Sequence, residues 1–522
     1  MADDVQTQVD LTQTRHDTSG MPRDDELLPT LVIMCHPNPE RVGEQAILLD
    51  LWRDGEAYVS RNAPEFSRYG GLGQALMDTY ISRSPVIFQR DGHKGVRIRT
   101  HHTNTRLTIA ERTPQEDYAV SEEELQEGCA ITLNDRIVLL LKLLPPQDPP
   151  QTPDYELQGI SSDLLSVRTR IERIAGLDEP VLIRGETGTG KELVAQAIYS
   201  NSQRVNKPFV SVNLAAMQDS LAAAELFGAQ KGAFTGANSD REGYFSAADG
   251  GTLFLDEIGE ASADVQAMLL RAIETGEIYP VGSTQPKNIN VRLLAATDAD
   301  LESLSETDGF KLPLLHRLSS YQIFLPTLRD RKEDIGILFQ HFAKQQWRRI
   351  HPNDHDQRPL PVTPTALMNQ LLQFPWPGNV RQLRNVARQV VIDSREAEFL
   401  QMDPQLLSML RPQTRDGQKL STRSASSSKR RPNSISREEL VAALENNRFE
   451  LQATAEQLAI SRASVYQLIQ RNKGLQTAQD IDKAVLAECY ESCDGDTEQM
   501  MWELRVSQIG LRRRLKSLGY DV

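Results

Sequence analysis

Hydrophobic and polar positions change their period along this 522-residue chain, and the changes divide it. Residues 28–145 hold short β-rich runs (LVIMCHP, QAILLDL, EAYVSR, YISRSPVIF, GVRIRT, TRLTIA, CAITL and DRIVLLLKL) broken by Gly, Pro, Asn and Asp. Such regular spacing predicts an all-β sandwich. Residues 146–156 are rich in proline and predict an extended, semi-rigid linker. From 157 to 395 the pattern alternates between amphipathic segments such as SSDLLSVRTRIERIAG and apolar runs such as VLIR, PFVSVN, GGTLFLDE and INVRLLAAT, predicting an α/β domain. Residues 396–434 read as a basic, Ser-rich linker. The remainder predicts helices in a repeat, 435–475 and 476–522, in which Leu458, Ile460, Ser461 and Val465 correspond to Leu504, Val506, Ser507 and Leu511. Residues 1–27 are polar and predict a disordered tail. The expectation is a multidomain protein: sandwich, α/β centre, all-α C-terminus.

Composition alters this picture little. Hydrophobic content of 39% and charged content of 25% suit a globular chain, and no run of 18 apolar residues predicts a membrane span. The N-terminus lacks the apolar core of a secretory signal, so a cytoplasmic location is expected. Of four cysteines, Cys489 and Cys493 lie four apart on a predicted helix, with no second pair at metal-ligand spacing, and reduced thiols are the expectation. The net charge of −14 would argue against nucleic acid for a one-domain protein, but residues 411–434 carry seven Lys or Arg against one Asp, which suits weak contact with DNA phosphates.

The candidate chemistry lies between Gly185 and Glu260. VLIRGETGTGKE reads as strand, phosphate-cradling loop and helix start. Glycines 185, 188 and 190 let backbone N–H groups turn toward phosphate oxygens, with Glu186, Thr187 and Thr189 between them, and Lys191 can reach the β- and γ-phosphates. Glu192 stands where the general pattern has a Mg²⁺-binding hydroxyl. About 65 residues later an apolar run ends in Asp256, which can hold Mg²⁺, and Glu257, which can polarise a water for attack on the γ-phosphate of ATP. Between these lies GAFTGA (Gly232, Ala233, Phe234, Thr235, Gly236, Ala237), a small-residue loop with one aromatic anchor.

With GAFTGA present, residues 157–395 resemble the AAA+ domain of bacterial enhancer-binding proteins, the ATP-dependent activators of sigma-54 RNA polymerase. The resemblance implies a P-loop ATPase with a helical lid, a hexameric ring with nucleotide sites between subunits, and a GAFTGA loop that touches the sigma factor and remodels the closed promoter complex. It implies that Glu192 is usual at its position, that Asn213 hydrogen-bonds Glu257, and that Arg381, in FPWPGNVRQLRN, points to nucleotide. The chain departs from the family at three places. Asp298 stands where Thr-Asn is expected beside the γ-phosphate, where an acid would repel it unless protonated or metal-linked. In FKLPLLHRL, Lys311 replaces the first of two arginines that reach the neighbouring subunit's nucleotide, leaving Arg317 as the surer finger, and Pro313 replaces an acid.

The flanks carry weaker resemblances. Residues 28–145 are similar to a forkhead-associated (FHA) domain, a phosphothreonine-binding module, with Arg61, Ser82 and Arg83 kept and Pro85 where the family has histidine; the other reading is a sandwich that only docks. Residues 435–475 resemble a Fis-type helix-turn-helix, which implies double-stranded DNA as partner and Arg462, Ser464, Tyr466, Gln467 and Arg471 as contacts. The second unit offers Arg512, Arg513 and Arg514 for DNA, or a dimerisation helix with a solvated basic face. Two rivals follow from the departures: a DNA-binding regulator with weak or lost ATP hydrolysis, and an AAA+ remodeller of another protein.

Overall fold

The computed structural model describes residues 27–403 with breaks at 69–70, 93–94, 101–102, 111, 147–151, 234–238, 308 and 353–358, then residue 406 and parts of 437–517. The tail to residue 26 and the linker at 407–436 lie outside the described residues. Contacts divide the chain into two compact units, 1–414 and 415–522.

The first unit opens with nine strands: β1 (Leu28–Cys35), β2 (Gln45–Ile47), β3 (Glu56–Val59), β4 (Val86–Asp91), β5 (Gly95–Arg99), β6 (Leu107–Ile109), β7 (Tyr118–Val120), β8 (Cys129–Leu133) and β9 (Ile137–Leu144), with helices α1 (Leu49–Arg53) and α2 (Glu122–Glu127) between them. They form antiparallel sheets of order β2-β1-β9-β8-β6 and β3-β4-β5-β7. Leu31, Ile33, Leu139 and Leu141 of the first sheet pack with Val86, Phe88, Val96 and Ile98 of the second. QAILLDL, expected as one strand, divides into β2 and α1 because its outer half turns helical at Leu49.

The central domain adds α3 (Ser162–Ala175), β10 (Val181–Arg184), α4 (Lys191–Ser200), β11 (Phe209–Asn213), α5 (Asp219–Phe227), α6 (Tyr244–Ala247), β12 (Thr252–Asp256), α7 (Ala263–Thr275), the short hairpin β13 (Glu277–Ile278) and β14 (Lys287–Asn288), β15 (Arg292–Thr297), α8 (Leu301–Glu306), α9 (Leu312–Leu318) and β16 (Tyr321–Phe324). Its five-stranded parallel sheet has the order β11-β12-β15-β10-β16. Apolar residues of β10, β12 and β15 are buried on both faces, as a parallel sheet covered by helices requires. All strands end on one side, so the loops after β10, β11, β12 and β15 converge. A helical lid follows: α10 (Ile335–Ile350), α11 (Thr365–Gln373) and α12 (Asn379–Asp393).

The sandwich is fused to this lid. Along β9, Ile137, Leu139, Leu141 and Leu143 face the sandwich core, while Val138, Leu140 and Leu144 join a second core with Phe339, Met368 and Leu371 of the lid. β1 divides likewise, Leu31 and Ile33 inward, Val32 and Met34 toward the lid. Each buried side chain of this size contributes roughly 1.5–3 kcal/mol. Gly336 permits the close approach of α10, since a Cβ there would lie 2.7 Å from the Met34 carbonyl oxygen. On the same face Lys142 donates to Glu333 at 2.7 Å and to the Asp330 carbonyl at 2.8 Å. Cys35 donates to the Thr363 carbonyl at 3.2 Å, and Asn369 to Thr132 at 2.9 Å. Burial pushes the Glu333 carboxyl upward and Lys142 pulls it back.

The second unit contains α13 (Arg437–Asn446), α14 (Lys483–Ser492), α15 (Thr497–Leu504) and α16 (Gln508–Ser517). α13 and α14 are offset by 46 residues at both ends. The offset extends to the turns that follow. Phe449 N–H donates to Leu444 O at 2.7 Å and Gly495 N–H to Tyr490 O at 3.0 Å, with φ of 60° and 77° at the two donors. Leu440, Ala443, Leu458, Val465 and Ile469 build one core; Leu486, Cys489, Leu504, Leu511 and Leu515 occupy the same register in the other.

The Lys142–Glu333 pair gives a test. Lys142→Met should leave a buried carboxylate without its cation and cost about 3–5 kcal/mol in urea unfolding, whereas Lys142→Met with Glu333→Leu should cost less than either single change. A single-variant cost below about 1 kcal/mol, the range of exposed pairs, would contradict this account.

Candidate functional site

The convergent loops of the central sheet open into a cleft of about 600 Å³, floored by Thr187–Glu192 and walled by Asp256, Glu257 and Arg381. Gly188 and Gly190 adopt φ of 82° and 111°, a region glycine enters without strain, and so let the loop after β10 curl back into the start of α4. Lys191, the first residue of α4, is buried; its ammonium donates to the Gly185 carbonyl at 3.0 Å and stands 3.4 Å from Glu257 Oε1. Thr189 is also buried and bonds the Glu186 carbonyl at 2.7 Å, while Glu192 is exposed. The N-terminus of α4 therefore faces the cleft with its lysine already beside the acid.

Asp256 ends β12 and Glu257 follows it at φ 55°, a left-handed conformation that costs a non-glycine residue about 1–3 kcal/mol. The sequence expectation paired Asn213 with Glu257. Here Asn213 donates instead to Asp256 at 3.2 Å. The register explains the difference: β11 and β12 place Asn213 opposite Asp256, and the turn at Glu257 takes the glutamate away from that line.

Asp298 follows β15 and accepts from Thr187 at 2.6 Å. This hydrogen bond, assisted by Lys191, holds its carboxyl below the usual range against burial. Burial, with help from Asp298 and Asp256, pushes Glu257 upward against the pull of Lys191. Asp256 and Glu257 face Lys191 and Arg381 across the cleft. Asp256 and its neighbour Glu257 offer hard oxygen ligands of the kind Mg²⁺ takes.

Two residues outside the expected set join this site to the lid. Asn379, fully buried at φ 48° at the head of α12, donates to Glu186 Oε2 and to the Thr187 carbonyl, each at 3.1 Å, and accepts from Leu328 N–H at 2.9 Å. Arg329 pairs with Glu186. Their signal lay in the sequence as the turn WPGN and as a glutamate within the glycine loop. Arg381 N–H bonds the Gly188 carbonyl at 3.2 Å, and its side chain lines the cleft.

Lys311 and Arg317 do not line this cleft. Lys311 caps α9, its N–H bonded to Gln266 at 2.7 Å, and Arg317 is exposed and pairs with Glu274 at 3.2 Å. Pro313 sits in the first turn of α9, where a missing N–H is harmless. In the loop that follows α5, Gly232 and Ala233 are described; Phe234, Thr235, Gly236 and Ala237 lie outside the described residues. In the sandwich, Arg61 and Ser82 are brought together, Arg61 N–H donating to Ser82 O at 3.1 Å. The Arg61 guanidinium binds the carbonyls of Asp78, Thr79 and Ile81, and Arg83 is exposed. Arg462, Ser464, Tyr466, Gln467 and Arg471 lie outside the described residues, as does the side chain of Arg513. Arg512 is exposed on α16 and reaches Thr497 at 3.3 Å; Arg514 lies on the same helix, half-buried. Among the described residues no helix is long and apolar enough to cross a membrane.

Comparison with known proteins adds an independent line. Residues 157–324 match the sigma-54 interaction domain and residues 329–425 an AAA+ ATPase lid domain. The regulatory protein LuxO of Vibrio cholerae is 43% identical over 244 residues, 46% of this chain and 44% of LuxO. The anaerobic nitric oxide reductase transcription regulator NorR is 41% identical in Salmonella dublin, over 55% of this chain and 58% of NorR. In Klebsiella pneumoniae it is 37% identical over 67% of this chain and 70% of NorR. The chain thus spans about half the length of the first two of these relatives. Among solved structures, NtrX from Brucella abortus in complex with ATP is similar, with 27% identity over 60% of this chain and 69% of NtrX, at a TM-score of 0.44. With its P-loop cleft, lid and matched domains, the chain belongs to the family of sigma-54-dependent transcriptional regulators.

Proposed function

We propose that this protein is an ATP-dependent activator of sigma-54 RNA polymerase. One observation carries the reading: Lys191, Asp256 and Glu257 meet in one cleft, closed by a lid that holds the glycine loop through Asn379. The P-loop amides and Lys191 would bind the ATP phosphates, and Arg381 would approach them from the lid. Asp256 would hold Mg²⁺, which supplies charge neutralisation between the phosphates. Glu257 would accept a proton from the attacking water, and its raised basicity suits that role. Lys311 and Arg317, exposed away from their own cleft, would serve a neighbouring subunit in a ring, probed by cross-linking with nucleotide present. The loop Gly232–Ala237 would press on sigma, the C-terminal repeats would hold enhancer DNA, and the sandwich would regulate the ATPase, in the cytoplasm, through phosphothreonine at Arg83 or through docking alone.

A second reading has a specific observation behind it. Asp298 accepts from Thr187 of the loop that would cradle the phosphates, and its carboxyl is held below the usual range, which favours a regulator with slow or absent hydrolysis. Steady-state hydrolysis at high protein concentration decides between them, with Glu257→Gln as background. Activity at least about 100-fold above that background is expected, with nucleotide binding kept in the variant; activity equal to it would favour the second reading. Asp298→Asn should raise kcat about 10-fold by removing a like charge worth roughly 1.4 kcal/mol; an unchanged kcat would show Asp298 to be remote from the reacting phosphate.

The acid limb gives a further check. Glu257 must be ionised to act, and its carboxyl titrates above the ordinary 4.5, so kcat should fall on acidification at a pH higher than an ordinary glutamate would set. At the sigma end, Thr235→Ala should abolish activation of a sigma-54 promoter while leaving ATP hydrolysis intact. Retained activation would return the remodeller of another protein as the better account.

A further inference from the structure

The two C-terminal repeats differ in chemistry around the turn that follows their first helix. In the first, Ala443 lies in the last turn of α13 and Asn447 just beyond its end, and Asn447 donates to Gln457 across the turn. Adding the 46-residue offset, the same three positions in the second repeat hold Cys489, Cys493 and Glu503. The polar link is replaced by three metal-ligating groups.

Their geometry is close to that of a bound cation. Cys489 Sγ and Cys493 Sγ lie 3.9 Å apart, and Glu503 Oε2 lies 3.7 and 3.1 Å from them. A tetrahedral zinc with Zn–S near 2.3 Å and Zn–O near 2.0 Å separates two sulfurs by about 3.8 Å and a sulfur from an oxygen by about 3.5 Å. The two thiols are buried, 5% and 7% exposed, and the carboxylate closes the site from the solvent side. A disulfide would need the sulfurs at about 2.05 Å, and both cysteines are free.

We propose that Cys489, Cys493 and Glu503 form a site for a thiophilic divalent cation, zinc above all, with a water in the fourth position. Binding replaces two S–H protons, which pass to solvent, with two metal–thiolate bonds, and no redox change is involved. The cation ties α14 to α15 across the turn at 493–496 and fixes the direction in which α16 departs. A unit of some 47 residues with a core this small is of the size that other proteins hold together with a metal or a disulfide. The first repeat lacks these ligands and instead sets Phe449 edge-to-face against Trp502 of the second, at 5.7 Å between ring centres.

The test uses the purified full-length protein, stripped with chelator under reducing conditions and titrated with Co²⁺. One equivalent per chain should develop the sulfur-to-cobalt charge-transfer absorption and intense visible bands of a tetrahedral thiolate site, displaced by Zn²⁺. Cys489→Ser and Cys493→Ser should each remove the thiolate band, and Glu503→Gln should weaken binding at least about 10-fold. Because serine variants can disturb the core, a second variant imports the first repeat's own residues, Cys489→Ala with Cys493→Asn and Glu503→Gln; it should keep its circular dichroism and lose the cobalt spectrum. The absence of charge-transfer absorption in the native protein, its persistence in that triple variant, or an intrachain Cys489–Cys493 disulfide in protein isolated without reductant would each overturn the proposal.

Discussion

A single buried amide holds the molecule's working parts in register. Asn379 has no access to water, so each of its polar atoms must find a partner inside the protein. It finds them on the glycine loop, at Glu186 and Thr187, and on the segment leaving the sheet, at Leu328. Two of these partners belong to the phosphate cradle and one to the start of the lid connection, while Asn379 itself belongs to the lid. A change in the cradle is thereby felt at the lid without any intervening flexible element. The left-handed backbone at Trp376 and Asn379 is the local cost of aiming that amide inward.

The segment after Leu328 extends this linkage outward. Arg329 pairs with Glu186, the Asp330 carbonyl and Glu333 receive Lys142 from the sandwich, and Asp334 accepts from the backbone of Ile160 and Ser161 and from the Ser161 hydroxyl. The segment 329–334 thus touches the glycine loop, the sandwich and the entry to the central domain. Charged groups on this segment are buried only where they are paired, and the pairing makes the segment stiff.

Much of this was legible before any coordinates. The glycine loop, the acidic strand end and the alternation of helix and strand announced the central fold, because phosphate binding demands particular residues at particular spacings. The eight β-rich runs announced the sandwich, although three-residue β7 carried too little pattern to be seen and an apolar run at 45–51 could not reveal that it divides into strand and helix. Asn213 meets Asp256 because strand register sets which carboxylate lies opposite it, and the resemblance that pairs it with Glu257 carries no register. The fusion of sandwich and lid escaped notice for a related reason. Its one sequence trace is Lys142 within IVLLLKLL, a charge amid apolar residues that only a distant partner, Glu333, can explain. Glu503 was likewise invisible as a neighbour of two cysteines until a turn folded one helix back on the other.

β9 has no face left for water. Its odd-numbered residues fill one core and its even-numbered residues another, so the two layers share a wall. Peeling the sandwich away would strand Lys142 and Glu333 as lone charges and wet an apolar strip from Val32 to Leu144, a cost on the scale of unfolding and not of ordinary fluctuation. Any movement of the sandwich must accordingly carry the lid with it as a joined body, in the manner of a lever. By the same reasoning, trimming away residues 1–145 creates a sticky fragment instead of a free-standing central domain.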